Sequence, residues 1–434
     1  MSSSVIGLIG IGILVMLFLI RMPIAFAMLS VGILGFIYLV SPEAGLSLLG
    51  HDVFAQLTNY SLTVIPMFVL AGSIAFEAGM GERLFDGAYA MFGRLPGSLA
   101  IAATVASAGL GAVTGSSVAV AAAVGRMSLP AMKKYNYDDS LATGSIAAAG
   151  TLGVLIPPSM IFVIYAMLTE QSIGKLFIAG ILPGILLTSL FVMTILLHCR
   201  YNKSLAPRGP ASSRKQKMAG LVGLGEISIL FILVIGGIAR GWFSPTQGGG
   251  VLVAGVSLLA VARRQISWRG FITALKDSAR ISCMVLSICI GGIVFGRFMA
   301  VSKLPLVLAD WLGALSLPTL AVIGFIMLAH MIGGCFMDGM GLLLISMPVI
   351  FPTLIALDVD LIWFGVMIVV VGEMGMITPP VGITVYVIKG IAEDVPMITI
   401  FKGIVPFIGA IVICMAILVA FPQIATFLPH LITY

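Results

Sequence analysis

The sequence predicts an all-α polytopic membrane protein, and three observations carry that reading. Of its 434 residues, 60% are hydrophobic and only 9% are charged, with a mean hydropathy of +1.18. A soluble chain of this length needs far more charge to cover its surface. Apolar runs recur from end to end, among them 5–20, 182–197 and 221–239, and at about 20 residues per crossing they amount to roughly ten to twelve spans. The runs are continuous and do not alternate with period two, which excludes a transmembrane β-barrel.

The N-terminal MSSSVIGLIG lacks a positively charged leader and a small-residue cleavage site, so it reads as the first span and not as a removable signal peptide. Five cysteines (Cys199, Cys283, Cys289, Cys335, Cys414) are scattered through mostly apolar segments. Their spacing fits neither zinc nor a disulfide framework. The formal net charge is +6, but topology accounts for it without nucleic acid. Arg200, Lys203, Arg208, Arg214, Lys215 and Lys217 share one loop with no acid between them, which the positive-inside rule places in the cytoplasm. Arg263, Arg264, Arg269, Lys276 and Arg280 follow two spans later, on the same side.

The basic loop divides the chain into similar halves. Pro157 and Pro379 are 222 residues apart, as are Gly153 and Gly375, and Asp138 and Asp360. Gly180 and Gly403, like Pro183 and Pro406, are offset by 223; Gly115 to Pro130 parallels Gly333 to Pro348 at 218. Each coincidence is weak alone, and their collinearity points to an internal duplication of the kind secondary transporters use, commonly with inverted orientation. The expected organisation is an N-terminal scaffold (1–60), a first repeat (61–198), the basic cytoplasmic loop (199–219), connecting scaffold helices with a turn near Arg240 to Gln247 (220–280), and a second repeat (281–434).

Each repeat interrupts itself. GTLGVLIPPS (150–159) and GMITPPVG (375–382) place paired prolines inside apolar runs. Proline removes a backbone donor, and unpaired carbonyls survive at membrane depth only when buried in protein or lining a wet cavity. A freed carbonyl is a hard oxygen donor for a small cation, while the following half-helix N-terminus favours an anion. Gly153 and Pro157, with the carbonyls around Ile156, form one candidate cation site. Gly375, Thr378 and Pro379 form its counterpart, the Thr378 hydroxyl being an additional ligand. A single such motif also reads as a simple kink; the repetition favours a site.

Upstream of each break lies a Gly-rich segment. GAVTGSSVA (111–119) offers Thr114, Ser116 and Ser117 as hydroxyl ligands, or as small residues easing helix packing. IGGCFMDGMG (332–341) carries Asp338, an acid between apolar spans and hence a functional candidate. Glu373 is the next such acid, or else a membrane-edge carboxylate. Arg297 pairs with Asp338, meets a carboxylate substrate, or snorkels to the interface. The four histidines (His51, His198, His330, His430) share no metal-binding spacing.

IPMFVLAG (65–72), TGSSVA, GTLGVLIPPS, SIGKLFIAGILPG, FMD and ITPPVG followed by Pro406-Phe407 together resemble the large, DctM-like membrane subunit of tripartite ATP-independent periplasmic (TRAP) transporters, over nearly the whole chain. The resemblance implies an inner-membrane protein with a scaffold and an elevator-type transport domain carrying two re-entrant helical hairpins of opposite orientation. It implies sodium-coupled import of an organic acid anion, a C4-dicarboxylate, a sialic acid or a related carboxylate. The solute arrives on a soluble periplasmic binding protein, and a small membrane subunit is expected as a separate chain; no cofactor is needed beyond Na+. It places one sodium at Thr114, Ser117, Gly153, Ile156 and Pro157 and another at Gly334, Gly375, Thr378, Pro379 and Val381. Substrate contacts are expected at Ser116, Ser159, Ser172, Arg297 and Asp338. Val371 and Thr384 stand where the family often has asparagines.

The alternatives are a binding-protein-independent anion symporter or exchanger with similar hairpins, a channel, and an intramembrane protease. The protease lacks support: MDGMG around Asp338 is not a GxGD element, and neither GSS nor PPS supplies the GxSG of serine types. No GxxxxGK[ST] motif is present, so the chain has no P-loop for nucleotide.

Overall fold

Long apolar runs punctuated by Gly, Pro and capping Ser or Asp form helices separated by tight turns, because in lipid a helix satisfies its own backbone. The computed structural model describes residues 2–207, 213–314 and 317–432; Arg208, of the basic loop, lies outside them. Every regular element of length among the described residues is helical. Seven helices are long and apolar enough to cross a membrane, or eight if the bent pair Asp139–Leu155 and Met160–Thr169, inclined at 44°, is one span. Six further apolar helices of 10–17 residues are shorter, and a total of ten to twelve is reached only by counting among them.

The two halves repeat one order of elements. In the first, Ser98–Thr114 and Ser117–Lys134 form a hairpin, followed by a broken helix (Asp139–Leu155, then Met160–Thr169) and a long helix ending at Tyr201. In the second, Thr319–Gly334 and Gly339–Ala356 form the hairpin, Leu361–Ile377 and Ile383–Ile391 the broken helix, and Met397–Ala420 the long helix. Both broken helices start on an aspartate cap: Asp138 accepts from Ser140 N at 2.9 Å, and Asp360 from Ile362 N and Trp363 N at 2.8 and 2.9 Å. Both second hairpin arms contain their offset-matched proline, Pro130 and Pro348.

Around these elements stand Ser3–Leu19, Ile24–Leu39, Pro42–Leu57, Val64–Glu77, the antiparallel pair Arg214–Ala239 and Pro245–Ala262, and the 35-residue helix Trp268–Ser302. The pair turns at Arg240–Ser244, with Ser244 and Gln247 closing a capping box. The boundary expected at 280 falls inside Trp268–Ser302. Its basic first half and apolar second half read as separate segments, yet no Gly or Pro breaks them. Small residues permit the closest approaches: a Cβ on Gly32 would lie 2.7 Å from Phe295 N, and one on Gly144 only 2.3 Å from the Gly403 carbonyl carbon, the packing device of membrane helices. At the exposed ends Lys133 pairs with Asp394, holding that carboxyl below the usual carboxylate range. Glu226 is flanked by Arg83 at 3.6 Å and by Arg263, so part of the second basic cluster is engaged in an ion pair within the chain.

Candidate functional site

The first break has a defined backbone. Ile156 leaves the helix in an extended conformation, its amide still donating to Leu152 O at 3.1 Å. Pro157 and Pro158 have no N–H to offer the carbonyls of Gly153 and Val154 four residues back. Ser159, also extended and buried, restarts the helix by accepting from Phe162 N at 3.4 Å. In the second break Thr378 is extended. Its hydroxyl donates to Met374 O at 2.6 Å and its amide to Gly375 O at 3.0 Å, while buried Thr384 donates to Met376 O at 3.0 Å. Both Pro-Pro peptides are cis. The first break is buried throughout apart from Ile156; Pro379 and Pro380 are exposed, with Thr378 and Val381 half-buried.

Each break is met by the tip of the hairpin before it. Gly115, at φ +61°, turns the first tip, and a Cβ there would lie 2.7 Å from Pro158 O. Gly111 and Gly153 pack backbone to backbone, a Cβ on the former falling 2.7 Å from the latter's Cα; one on Gly153 would meet Val120 Cγ2 at 2.8 Å and Ser116 O at 2.9 Å. In the second repeat Gly382 N donates to Cys335 O at 3.3 Å. Gly334 and Gly375 form the matching glycine contact, a Cβ on Gly375 lying 2.8 Å from Gly334 Cα. Thus Gly153, Ser116 and the Ile156–Pro158 backbone converge at one tip, and Gly334, Gly375 and the Thr378–Gly382 segment at the other. Thr114 sits on the first tip, its hydroxyl donating to Leu110 O at 3.0 Å.

The two assemblies also touch each other. Gly339, at the second tip, packs against Ile161 of the half-helix after the first break, and Gly125 of the first hairpin packs against Ile388 and Ile391 of the half-helix after the second break. Ser117 Oγ donates to Glu373 Oε2 at 2.6 Å, across 256 residues. Asp338 caps the second hairpin arm, accepting from Met340 N and Gly341 N at 2.9 and 3.0 Å. Ser116 and Ser159 lie here as well, both capping helices.

Two expected substrate residues do not join this centre. Arg297 Nε donates to the buried Asp52 carboxylate at 3.2 Å, within the scaffold and not with Asp338. Ser172 is exposed, caps Ile173–Ala179, and lines a shallow pocket with Phe243 and Ser244. Conversely Glu373, read from sequence as a membrane-edge carboxylate or a functional acid, is 2% exposed at the junction of the repeats. Its signal was an acid inside the apolar run 361–377. Gly111 carries no comparable signal, being one of 51 glycines.

The model of the tripartite ATP-independent periplasmic transporter family, DctM component, matches residues 11–424. The chain belongs to this family. This TRAP large permease is 31% identical over 432 residues to the sialic acid TRAP transporter large permease protein SiaM of Vibrio cholerae, covering 99% of each chain. It is 32% identical to the C4-dicarboxylate TRAP transporter large permease protein DctM of Pseudomonas aeruginosa, over 91% of this chain and 92% of that one. The crystal structure of the Alcanivorax borkumensis YdaH transporter superposes with a TM-score of 0.60 at 15% identity, covering 88% and 90% of the two chains, which is a likeness of fold. The large permease is therefore a multi-pass inner-membrane transport subunit and not an enzyme.

Proposed function

We propose that this permease imports an organic acid anion by sodium-coupled, elevator-type alternating access. The solute is handed over by a periplasmic binding protein, and a small membrane subunit completes the transporter. The observation that carries the reading is the twofold construction of tip against break, each with a glycine-to-glycine contact that lets two backbones converge. Carbonyl and hydroxyl oxygens flank each of these contacts, the donor set a small hard cation needs. Sodium at Thr114, Ser117, Gly153, Ile156 and Pro157, and at Gly334, Gly375, Thr378, Pro379 and Val381, fastens each tip to its break. The anion then binds between the tips, near Ser116, Ser159 and Asp338, with the half-helix N-termini at Met160 and Ile383 favouring negative charge. Arg297 and Ser172 have no part in this arrangement.

Coupling follows because the anion site is complete only when the cations have ordered both tips. The relatives are named for sialic acid and C4-dicarboxylates, both carboxylates, which supports the substrate class. The test is uptake into proteoliposomes holding the permease and its small subunit, with purified binding protein outside. Uptake of a C4-dicarboxylate or sialic acid is expected only with an inward Na+ gradient and binding protein present. Equal uptake when K+ replaces Na+ would sink the sodium reading, and equal uptake without binding protein would favour the independent symporter.

A further inference from the structure

Glu373 lies one turn before the second break, and its two carboxylate oxygens have different surroundings. Oε2 accepts the 2.6 Å hydrogen bond from Ser117 on the first hairpin tip, whereas Oε1 has no hydrogen-bond partner among the described residues. Among those residues neither Lys nor Arg forms an ion pair with it; the four described ion pairs involve other acids. The charge that reaches it is that of Asp338 on the second tip, which has the same sign. His330 approaches the neighbouring Gly372, but its Nδ1 is engaged by Ser346 at 3.3 Å. A buried carboxylate that lacks a compensating charge is costly, and inside a membrane protein it marks a place where an ion is handled.

Oxygen donors surround the same place. Ser117 follows Ser116, whose carbonyl faces Gly153, and Gly115 abuts the Pro158 carbonyl. The Leu152–Leu155 turn, just before the first break, packs against Leu361–Ile377, the helix that bears Glu373. We propose that Glu373 supplies an anionic oxygen to the cation held at the first tip, so that this cation joins the two repeats. The proposal rests on the sodium reading above and adds to it a ligand from the opposite repeat. A cation there would compensate the buried carboxylate on which Ser117 seats, so the ion is expected to strengthen the closed first tip.

The test is the Na+ dependence of thermal unfolding, measured on purified permease with its small subunit, with choline as replacement cation. Na+ is expected to raise the melting temperature of the wild type. In Glu373→Gln, which keeps the shape and the Ser117 contact, the half-saturating Na+ concentration is expected to rise at least tenfold, with melting in choline alone preserved. Glu373→Asp is expected to fall between them. A Glu373→Gln midpoint equal to wild type overturns the proposal while leaving the sodium reading intact. A wild type indifferent to Na+ overturns both. Should Glu373→Gln fail to fold, Glu373→Ala replaces it, with the same tenfold rise expected and an unchanged midpoint equally fatal.

Discussion

Gly153 and Gly375 show what a single hydrogen in place of a methyl group does here. An alanine at Gly153 would bring its Cβ within 2.9 Å of Ser116 O, and at Gly375 within 2.6 Å of Met331 O. Backbone atoms on both sides leave no flexible side chain to yield, so either substitution must separate tip from break, at about 1–3 kcal/mol of overpacking. Gly153→Ala and Gly375→Ala are each expected to lower the melting temperature and abolish uptake; wild-type uptake by either would mean the close contact is dispensable. Asp338 asks a different question, because asparagine caps a helix as well as aspartate does. Asp338→Asn should therefore insert and melt like wild type while losing transport, measured as uptake normalised to inserted protein. Undiminished uptake would reduce the carboxylate to a cap. Thr378→Val removes one hydroxyl and is expected to weaken Na+ activation of uptake, with unchanged activation counting against its role as a ligand. At this scale the sequence was readable wherever chemistry contradicted its surroundings: paired prolines, and acids in apolar runs. It was silent on Arg297, whose partner Asp52 stands 245 residues away on another helix, because no local pattern encodes which distant helix a charge will meet.

Helix by helix, the breaks are stabilised by capping side chains and not left open. Thr384 is fully buried, and its hydroxyl is the donor to the Met376 carbonyl. Replacing that hydroxyl with a methyl group of similar volume strands the carbonyl, at about 1–3 kcal/mol. Thr384→Val is thus expected to lower the melting temperature by several degrees, whereas Thr384→Ser, which keeps the donor, should recover most of the loss. Equal melting of Thr384→Val and wild type would show that water or a bound ion takes over the bond. The collinear offsets in sequence survive as matched elements, from the aspartate caps to the prolines within the second hairpin arms. The hairpin arms are short: a 16- or 17-residue helix such as Thr319–Gly334 or Ser98–Thr114 is about 25 Å long, against a hydrocarbon core of roughly 30 Å. Hydropathy registers apolarity but not whether a segment turns back.

For the whole molecule, the tips and breaks of both repeats form one contiguous unit, held together by Gly339 on Ile161, Gly125 on Ile388, and Gly144 on Gly403. Its contact with the surrounding helices includes Trp268–Ser302 against Gly339–Ala356, where Gly292 faces Leu344. An elevator needs this boundary to slide while the contacts inside the unit persist, so a covalent link across it should stop transport without unfolding anything. A Cβ on Gly292 would stand 3.0 Å from the Cβ of Leu344, slightly inside the range a disulfide spans, and a small shift of either helix suffices. With the five native cysteines replaced, Gly292→Cys combined with Leu344→Cys is expected to transport when reduced and to lose most uptake on oxidation, with recovery in dithiothreitol. Each single variant should be indifferent to oxidant. The link distinguishes motions because a mechanism confined to opening the tips leaves this boundary still: efficient cross-linking with uptake unchanged would exclude a sliding transport unit and leave local gating at the two breaks as the moving part.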